Sequence, residues 1–281
     1  MTPQLVAPPG ACDCHMHVYD ERFTVLPSAP FKPPHAPVGA YQAVQRELGL
    51  QRVIVVQPIG YGFDNTCTLE SMAALGTGPA QQARGVVIVP PDVADAELQR
   101  LHDLGVRGVR FMMLPGGPLG WDALEPMAAR IAPLGWNINL QLDGRTLPDH
   151  EAVLRRLPCP LVIDHNGKFL EPVAPEHASF RALLGLLDTG RCWVKLSAPY
   201  ETSKVGPPHY DDVSALSKAM VRANPQRCLW ASNWPHPNQK SLPESAAMLD
   251  LLLEWAADDA TRRQILADNP GALYGFGPAA S

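Results

Sequence analysis

The sequence lacks any run of like charge. Its 281 residues carry a formal net charge of −5, with 18% charged side chains, and no basic patch accumulates. That argues against a nucleic-acid partner or an anionic membrane surface. No apolar stretch is long enough to span a bilayer, because the longest are broken by charge or proline. Met1 to Gly10 has no cationic segment followed by an apolar core, so no secretory leader is expected. The six cysteines (Cys12, Cys14, Cys67, Cys159, Cys192, Cys228) form no CxxC pair. In a chain read as leaderless they suggest reduced, mostly buried thiols and a cytoplasmic address. A glycine-rich nucleotide loop is also missing: Gly116-Gly117 has no G-x-G-x-x-G frame.

What is present is a hydrophobic content of 46% and 30 prolines. The prolines cluster in Pro27 to Pro37, Pro115 to Pro118, Pro199 to Pro208 and Pro235 to Pro237, where they stiffen connections. Short apolar runs recur, each followed by helical periodicity. Strands are expected at Ala11 to Val18, Arg52 to Gln57, Gly85 to Val89, Val106 to Met113, Trp136 to Leu142, Leu161 to His165, Cys192 to Ser197 and Cys228 to Asn233. Helices are expected at Val38 to Leu48, Thr66 to Leu75, from an Asp92 cap to Leu104, Trp121 to Leu134, Leu147 to Leu157, Glu176 to Leu187, Asp211 to Ala223, Pro243 to Trp255 and Asp259 to Ala267. Eight strand–helix units near 30 residues each fit one (β/α)8 TIM barrel over residues 1–281 better than an open doubly wound sheet.

In such a barrel the chemistry lies at the C-terminal strand ends. The first strand offers His15 and His17, whose one-residue spacing puts both imidazoles on one face, toward a metal ion or a substrate, with Cys14 and Met16 opposite. The second strand offers Gln57 and the fourth Arg110. The fifth alternates Asn137-Ile138-Asn139-Leu140-Gln141-Leu142-Asp143, which aims Asn139, Gln141 and Asp143 inward. Asp164 and His165 end the sixth strand, Lys195 and Ser197 the seventh, and Asn233 the eighth, followed by His236. So many polar groups at one mouth are costly to leave unpaired, which implies a binding pocket.

His15-x-His17, Asp164-His165-x-Gly167 and Asn233-Trp234-Pro235-His236-Pro237 together resemble the amidohydrolase superfamily, and within it the branch of 2-pyrone-4,6-dicarboxylate lactonase and related sugar-acid lactonases. The Arg110-Phe111 strand, Asp64-Asn65 and Gly206-Pro207-Pro208 join the resemblance, which runs from Gly10 to about Phe276. Typical members of the superfamily hold zinc with the first-strand histidines, further histidines and an eighth-strand aspartate. Here Gln141, Arg110 and Asn233 stand at three of the ligand-bearing strand ends. A guanidinium beside the site repels a cation, and the lactonase branch works without metal, so no metal or other cofactor is expected.

In lactonases of this branch the eighth-strand residue is an aspartate that activates water. Asparagine cannot accept a proton at neutral pH. The branch also contains isomerase activity on galactaric acid lactones, from the 1,5- to the 1,4-lactone, which needs no water, and Asn233 fits that activity better than hydrolysis. The resemblance implies a small anionic sugar-acid lactone as substrate. Arg110 would pair with its free carboxylate, with Gln57, Gln141, Asp143 and Ser197 contributing to binding. His15, His17 and His165 would polarise the carbonyl, while Asn233 and His236 position the attacking hydroxyl. A metal-independent lactone hydrolase is the alternative. Oligomeric state is not legible.

Overall fold

In a computed structural model, which describes residues 2–76 and 82–277, eight parallel strands lie in the order β1 to β8. They are β1 (Cys12–Met16), β2 (Arg52–Val56), β3 (Gln82–Val87), β4 (Val106–Met112), β5 (Asn137–Gln141), β6 (Leu161–Ile163), β7 (Cys192–Leu196) and β8 (Cys228–Trp230). A helix follows each strand: α1 (Val38–Glu47), α2 (Thr66–Leu75), α3 (Asp95–Asp103), α4 (Leu124–Ile131), α5 (Leu147–Arg156), α6 (Ala178–Leu187), α7 (Asp211–Ala223) and α8 (Ser245–Trp255). The seam between the first and last strands is closed by Asn233 N–H donating to the His15 carbonyl (2.9 Å) and His17 N–H donating to the Trp234 carbonyl (2.8 Å). The result is the expected (β/α)8 barrel. None of the described helices is long and apolar enough to cross a membrane.

Two apolar zones follow from strand alternation. Val53, Val55, Val109, Phe111, Ile138, Leu140, Ile163 and Val194 face outward and pack beneath the helices. Ile54, Val56, Val86, Val162 and Leu229 face inward and fill the barrel's lower half together with Cys12 and Cys14. Above that plug the inward positions turn polar: Arg110, Asn139, Gln141 and Lys195 are all buried.

Strict alternation fails at β1, where the pairing with β2 shifts register between Asp13 and Met16. The buried Asp13 carboxylate accepts from the backbone N–H of His15 (3.1 Å) and of Ser232 (2.9 Å), and from the Tyr41 hydroxyl (2.9 Å) and the Ser232 hydroxyl (2.5 Å). This clasp bends the strand, a β-bulge in effect. Cys14 and His15 therefore both serve the interior, so the expectation that Cys14 points away from the histidines is corrected, although it lies in the apolar plug below them.

Other differences are local. Strands β6 and β8 end two or more residues early, and the chain then turns through left-handed backbone at His165 to Lys168 and at Asn233 and His236. Helix α3 starts at Asp95 after Ala94, not at an Asp92 cap. Strand β3 begins at Gln82, three residues before the apolar run, and stops at Val87. The C-terminal helix is longer and composite: α9 (Asp259–Arg263), a π-turn over Gln264–Asp268 and α10 (Asn269–Tyr274).

Candidate active site

Four consecutive residues after β6 adopt left-handed backbone: His165 (φ 51), Asn166 (φ 56), Gly167 (φ 84) and Lys168 (φ 49). Such a run is costly for residues bearing a Cβ and persists only where its surroundings hold it. Asn166 is the clamp, donating to the Ser197 carbonyl (2.6 Å) and accepting from the Ser217 hydroxyl (2.9 Å). Gly167 has no alternative, since a Cβ there would come within 2.7 Å of Phe169 and 2.8 Å of Leu183. The turn lifts both His165 and Lys168 toward the barrel mouth.

The mouth holds a cavity of about 220 Å³ whose lining includes His17, Tyr19, Arg110, Gln141, His165, Glu201 and Asn233. That is below the roughly 300–1,000 Å³ of drug-sized pockets, so it suits a compound of about one ring. A larger cleft of about 910 Å³ lies alongside, under the 19–35 loop. It shares only Tyr19 and Phe31 with the smaller one and has no convergent histidines or arginine, so the chemistry belongs to the smaller cavity.

Hydrogen bonds dictate the proton positions of His15 and His17. The Lys195 ammonium reaches His15 Nδ1 (2.9 Å), Asp164 Oδ1 (3.1 Å) and the Asn139 side-chain carbonyl. An ammonium can only donate, so His15 Nδ1 accepts and its proton sits on Nε2. His17 Nδ1 lies 2.8 Å from the Val56 carbonyl, which can only accept, so Nδ1 carries the proton there. His15 Nε2–H then donates to His17 Nε2 (3.1 Å). Burial, followed by the Arg110 charge, pushes His17 down to about 3, so this ring stays neutral. His165 Nδ1 is 2.8 Å from the Ser197 hydroxyl. With the hydroxyl donating, His165 has an Nε2–H for the cavity.

Asp164 shows two opposed effects. Burial works against its ionisation, but the Lys195 ammonium and His15 outweigh this and hold the carboxyl well below the ordinary range. Arg110, 5% exposed, spends Nη1 on the Gln57 carbonyl (2.8 Å) and Nη2 on Gln141 Oε1 (3.0 Å). Its Nε has no hydrogen-bond partner, and no carboxylate of the described residues lies within ion-pair distance. It is a buried cation turned to a cavity, ready for an anionic ligand.

Would this set hold a metal? His15, Asp164 and His165 have ligand atoms within 4.8 Å of one another. Yet Lys195 already places its positive charge between His15 Nδ1 and Asp164 Oδ1, and Arg110 adds a second cation to the same interior. A divalent ion would have to displace the ammonium. The residues present do not fit a metal centre.

Not every expected residue reaches the cavity. Gln57 is wholly buried below it, where Nε2 bonds the Gly62 (3.2 Å) and Asp64 (2.7 Å) carbonyls and Oε1 accepts from Thr68; it braces a loop and, through its own carbonyl, Arg110. Asp143 caps the turn over Gly144–Thr146 and is paired with Arg145 (2.6 Å), so it is withdrawn from the pocket. Ser197 acts through His165. His236 sits behind Tyr200, with Nδ1 2.9 Å from the Tyr200 hydroxyl and Nε2 3.2 Å from the Ser245 hydroxyl; burial pushes it down to about 4. Asp143, Gln57, Ser197, His236 and the fully buried His15 are therefore neighbours of the cavity, not part of its lining.

Three residues that strand-end reading does not single out complete the site. Tyr19 lies beyond β1, and Tyr200 and Glu201 lie on the turn after β7 (Pro199–Glu201). Asn233 Nδ2 donates to both the Tyr200 hydroxyl (3.0 Å) and Glu201 Oε1 (3.1 Å), and Glu201 Oε2 is ion-paired with Lys168. In sequence, Tyr19 is signalled by its place two residues after His17, and Lys168 by the Asp164-His165-x-Gly167 turn just before it.

Known proteins are similar to this chain over almost its whole length. A D-galactarolactone isomerase of Agrobacterium fabrum is 34% identical, covering 98% of this chain and 94% of its own length. A 2-pyrone-4,6-dicarboxylate hydrolase of Comamonas testosteroni is 33% identical, covering 97% and 92%. An apo crystal structure of an Agrobacterium tumefaciens protein superposes with a TM-score of 0.92 at 33% identity, over 99% of this chain and 100% of that one. Residues 12–276 match the amidohydrolase family. A closed barrel, a histidine pair at the end of β1 and a match over that span lead to one conclusion: this chain belongs to the amidohydrolase family.

Proposed function

We propose that this protein is a lactone isomerase acting on a sugar diacid, converting D-galactaro-1,5-lactone into D-galactaro-1,4-lactone by intramolecular acyl transfer. The reading takes its substrate class from the isomerase and hydrolase relatives, both of which act on lactones by name. The observation that carries it is Asn233: at the strand-eight position where a hydrolase needs a base stands an amide, both of whose N–H groups are already donated.

In this mechanism Arg110 pairs with the free carboxylate of the lactone and Gln141 orients it. His165 Nε2–H donates to the carbonyl oxygen and to the oxyanion that follows, the larger part of such catalysis. His15 and His17 act differently from a polarising pair. Their one shared proton lies between them, so His15 holds the ring of His17 from beneath and His17, which lines the cavity, is a neutral wall that fixes the carbonyl's position. Asn233 presents its Oδ1 to the attacking hydroxyl. No metal or cofactor enters. All six cysteines are buried and unpaired, which supports a cytoplasmic setting as part of this reading.

A second reading is metal-independent lactone hydrolysis, favoured by the Glu201 carboxylate 3.1 Å from Asn233, a base for water. NMR of D-galactaro-1,5-lactone with the enzyme separates the two. The 1,4-lactone with no proton release supports isomerisation. Open diacid with one proton released per turnover supports hydrolysis, and an unchanged substrate rejects both for this lactone.

A further inference from the structure

We propose that Glu201 is the catalytic proton shuttle of this site, taking over the task that Asn233 cannot perform. The inference rests on the lactone-isomerase reading above. It begins with an inventory of acceptors. Among the described residues lining the cavity, Glu201 is the one carboxylate. Asp164 lies beneath, held by Lys195 and His15, and Asp143 is held by Arg145. Of the histidines, His17 Nε2 already receives the His15 proton, and both nitrogens of His236 are engaged behind Tyr200. His165 is needed as a donor.

The position of Glu201 is built. Ala198 takes left-handed backbone (φ 48) at the end of β7 and starts the tight turn that carries Pro199, Tyr200 and Glu201 across the mouth. Oε2 meets the Lys168 ammonium, which sits on the left-handed turn after β6, and Oε1 meets Asn233 Nδ2. Three barrel segments thus converge on one carboxylate. Lys168 is ion-paired with one carboxylate oxygen, and Asn233, whose Nδ2 donates to the other, holds a substrate hydroxyl against it through its own Oδ1.

The step balances as follows. The substrate's O4–H gives its proton to a Glu201 oxygen while O4 bonds to the lactone carbonyl carbon. The resulting tetrahedral oxyanion is held by His165 Nε2–H. On collapse the bond from that carbon to O5 breaks and O5 takes the proton back from Glu201. No proton is gained or lost overall. The same carboxylate faces water as a competitor. A well-oriented internal hydroxyl acts at an effective concentration of about 10⁵–10⁸ M, far above that of water. One base therefore gives isomerisation without appreciable hydrolysis.

The charged and titratable groups around Glu201 are Lys168, Tyr200, His165, His17, Tyr19 and Arg110, and Asn233 is the neutral neighbour. The test is steady-state NMR kinetics of wild type, Glu201→Gln, Glu201→Asp and Lys168→Met across pH 4–9. For Glu201→Gln, kcat should fall about a hundredfold to ten-thousandfold with KM changed by less than about threefold, since Arg110 retains the substrate's carboxylate. Glu201→Asp should recover part of the rate. Lys168→Met should move the acid limb of kcat to higher pH, because loss of a paired cation raises a carboxyl; a purely structural Glu201 would leave that limb in place. Isomerisation by Glu201→Gln within about threefold of wild type, or an acid limb that Lys168→Met does not move, overturns the proposal. A wild type that isomerises no lactone overturns the reading beneath it instead. If Glu201→Gln does not fold, the Glu201→Asp rate and the Lys168→Met limb decide alone.

Discussion

Replacing Asn233 by aspartate puts the reaction choice to a direct test. The substitution keeps the side-chain shape and restores the base expected of a hydrolase, so open diacid should appear where the wild type yields 1,4-lactone. General-base assistance contributes about a hundredfold to ten-thousandfold, which sets the expected gain in hydrolysis. The structure adds a complication. Asn233 Nδ2 is 3.1 Å from Glu201 Oε1, so the variant brings two carboxylates into contact in a nearly buried place. At that distance and an effective dielectric near 20 the repulsion is about 5 kcal/mol, equivalent to roughly four pH units shared by the pair, part of which the Lys168 ammonium already on Glu201 offsets. One proton should therefore be retained by the pair near neutrality. Hydrolysis by Asn233→Asp should then rise steeply with pH above the ordinary carboxylate range. In the double variant Asn233→Asp, Glu201→Gln the same rise should begin at lower pH. A pH-indicator assay of proton release, paired with NMR of the products, reads both effects. The reasoning about position 233 is refuted if wild type releases open diacid as fast as Asn233→Asp does.

Arg110→Met should lower kcat/KM by about 2–5 kcal/mol of binding energy, thirtyfold to several-thousandfold, with Arg110→Lys recovering little because the fork to Gln141 and the Gln57 carbonyl is lost; unchanged kcat/KM rules out carboxylate pairing there. Stability should drop steeply on acidification. His17 is pushed down to about 3 and His236 to about 4, so the unfolded chain binds more protons from about pH 6.5 downward. Each ring then forfeits on the order of 3–5 kcal/mol as pH falls through that window to its folded value. Urea titrations at pH 7, 6 and 5 should show a falling midpoint, and a flat series refutes the neutral-ring assignment. Lys195→Gln should free His15, Asp164 and His165 for zinc, visible as near-stoichiometric metal in the purified variant and none in wild type. Equal zinc in the two proteins means that the ammonium does not guard the site.

The barrel was legible because its physics is periodic: eight apolar runs with a helix after each leave few other architectures. Inward-facing Asn139, Gln141 and Arg110 followed from alternation alone. What alternation could not reveal lies where the backbone leaves the strand. His165 and Lys168 share a mouth because four residues turn left-handed, and nothing in residue spacing announces that Asn166 is held by Ser197 and Ser217. Asp143 matched the inward pattern, yet the strand ends at Gln141 and Arg145 captures the carboxylate. His236 was drawn in by its motif, but its turn directs the ring outward onto Tyr200 and Ser245. Glu201 escaped notice since it has no apolar frame around it and meets Asn233 only through the fold.

The seam of the barrel has a consequence for how the protein becomes active. The backbone carbonyl of His15 and the N–H of His17 are paired with residues more than two hundred positions later, at Asn233 and Trp234, and the Asp13 clasp closes on Ser232. Neither histidine is in place until the last strand has docked. Long-range closures of this kind come late, since the entropy of so large a loop must be met before the contacts reward it. Activity should therefore return together with the final folding phase. An incomplete chain held at the exit of a ribosome would carry the histidine pair and still be inert, which keeps an unfinished barrel from meeting its substrate.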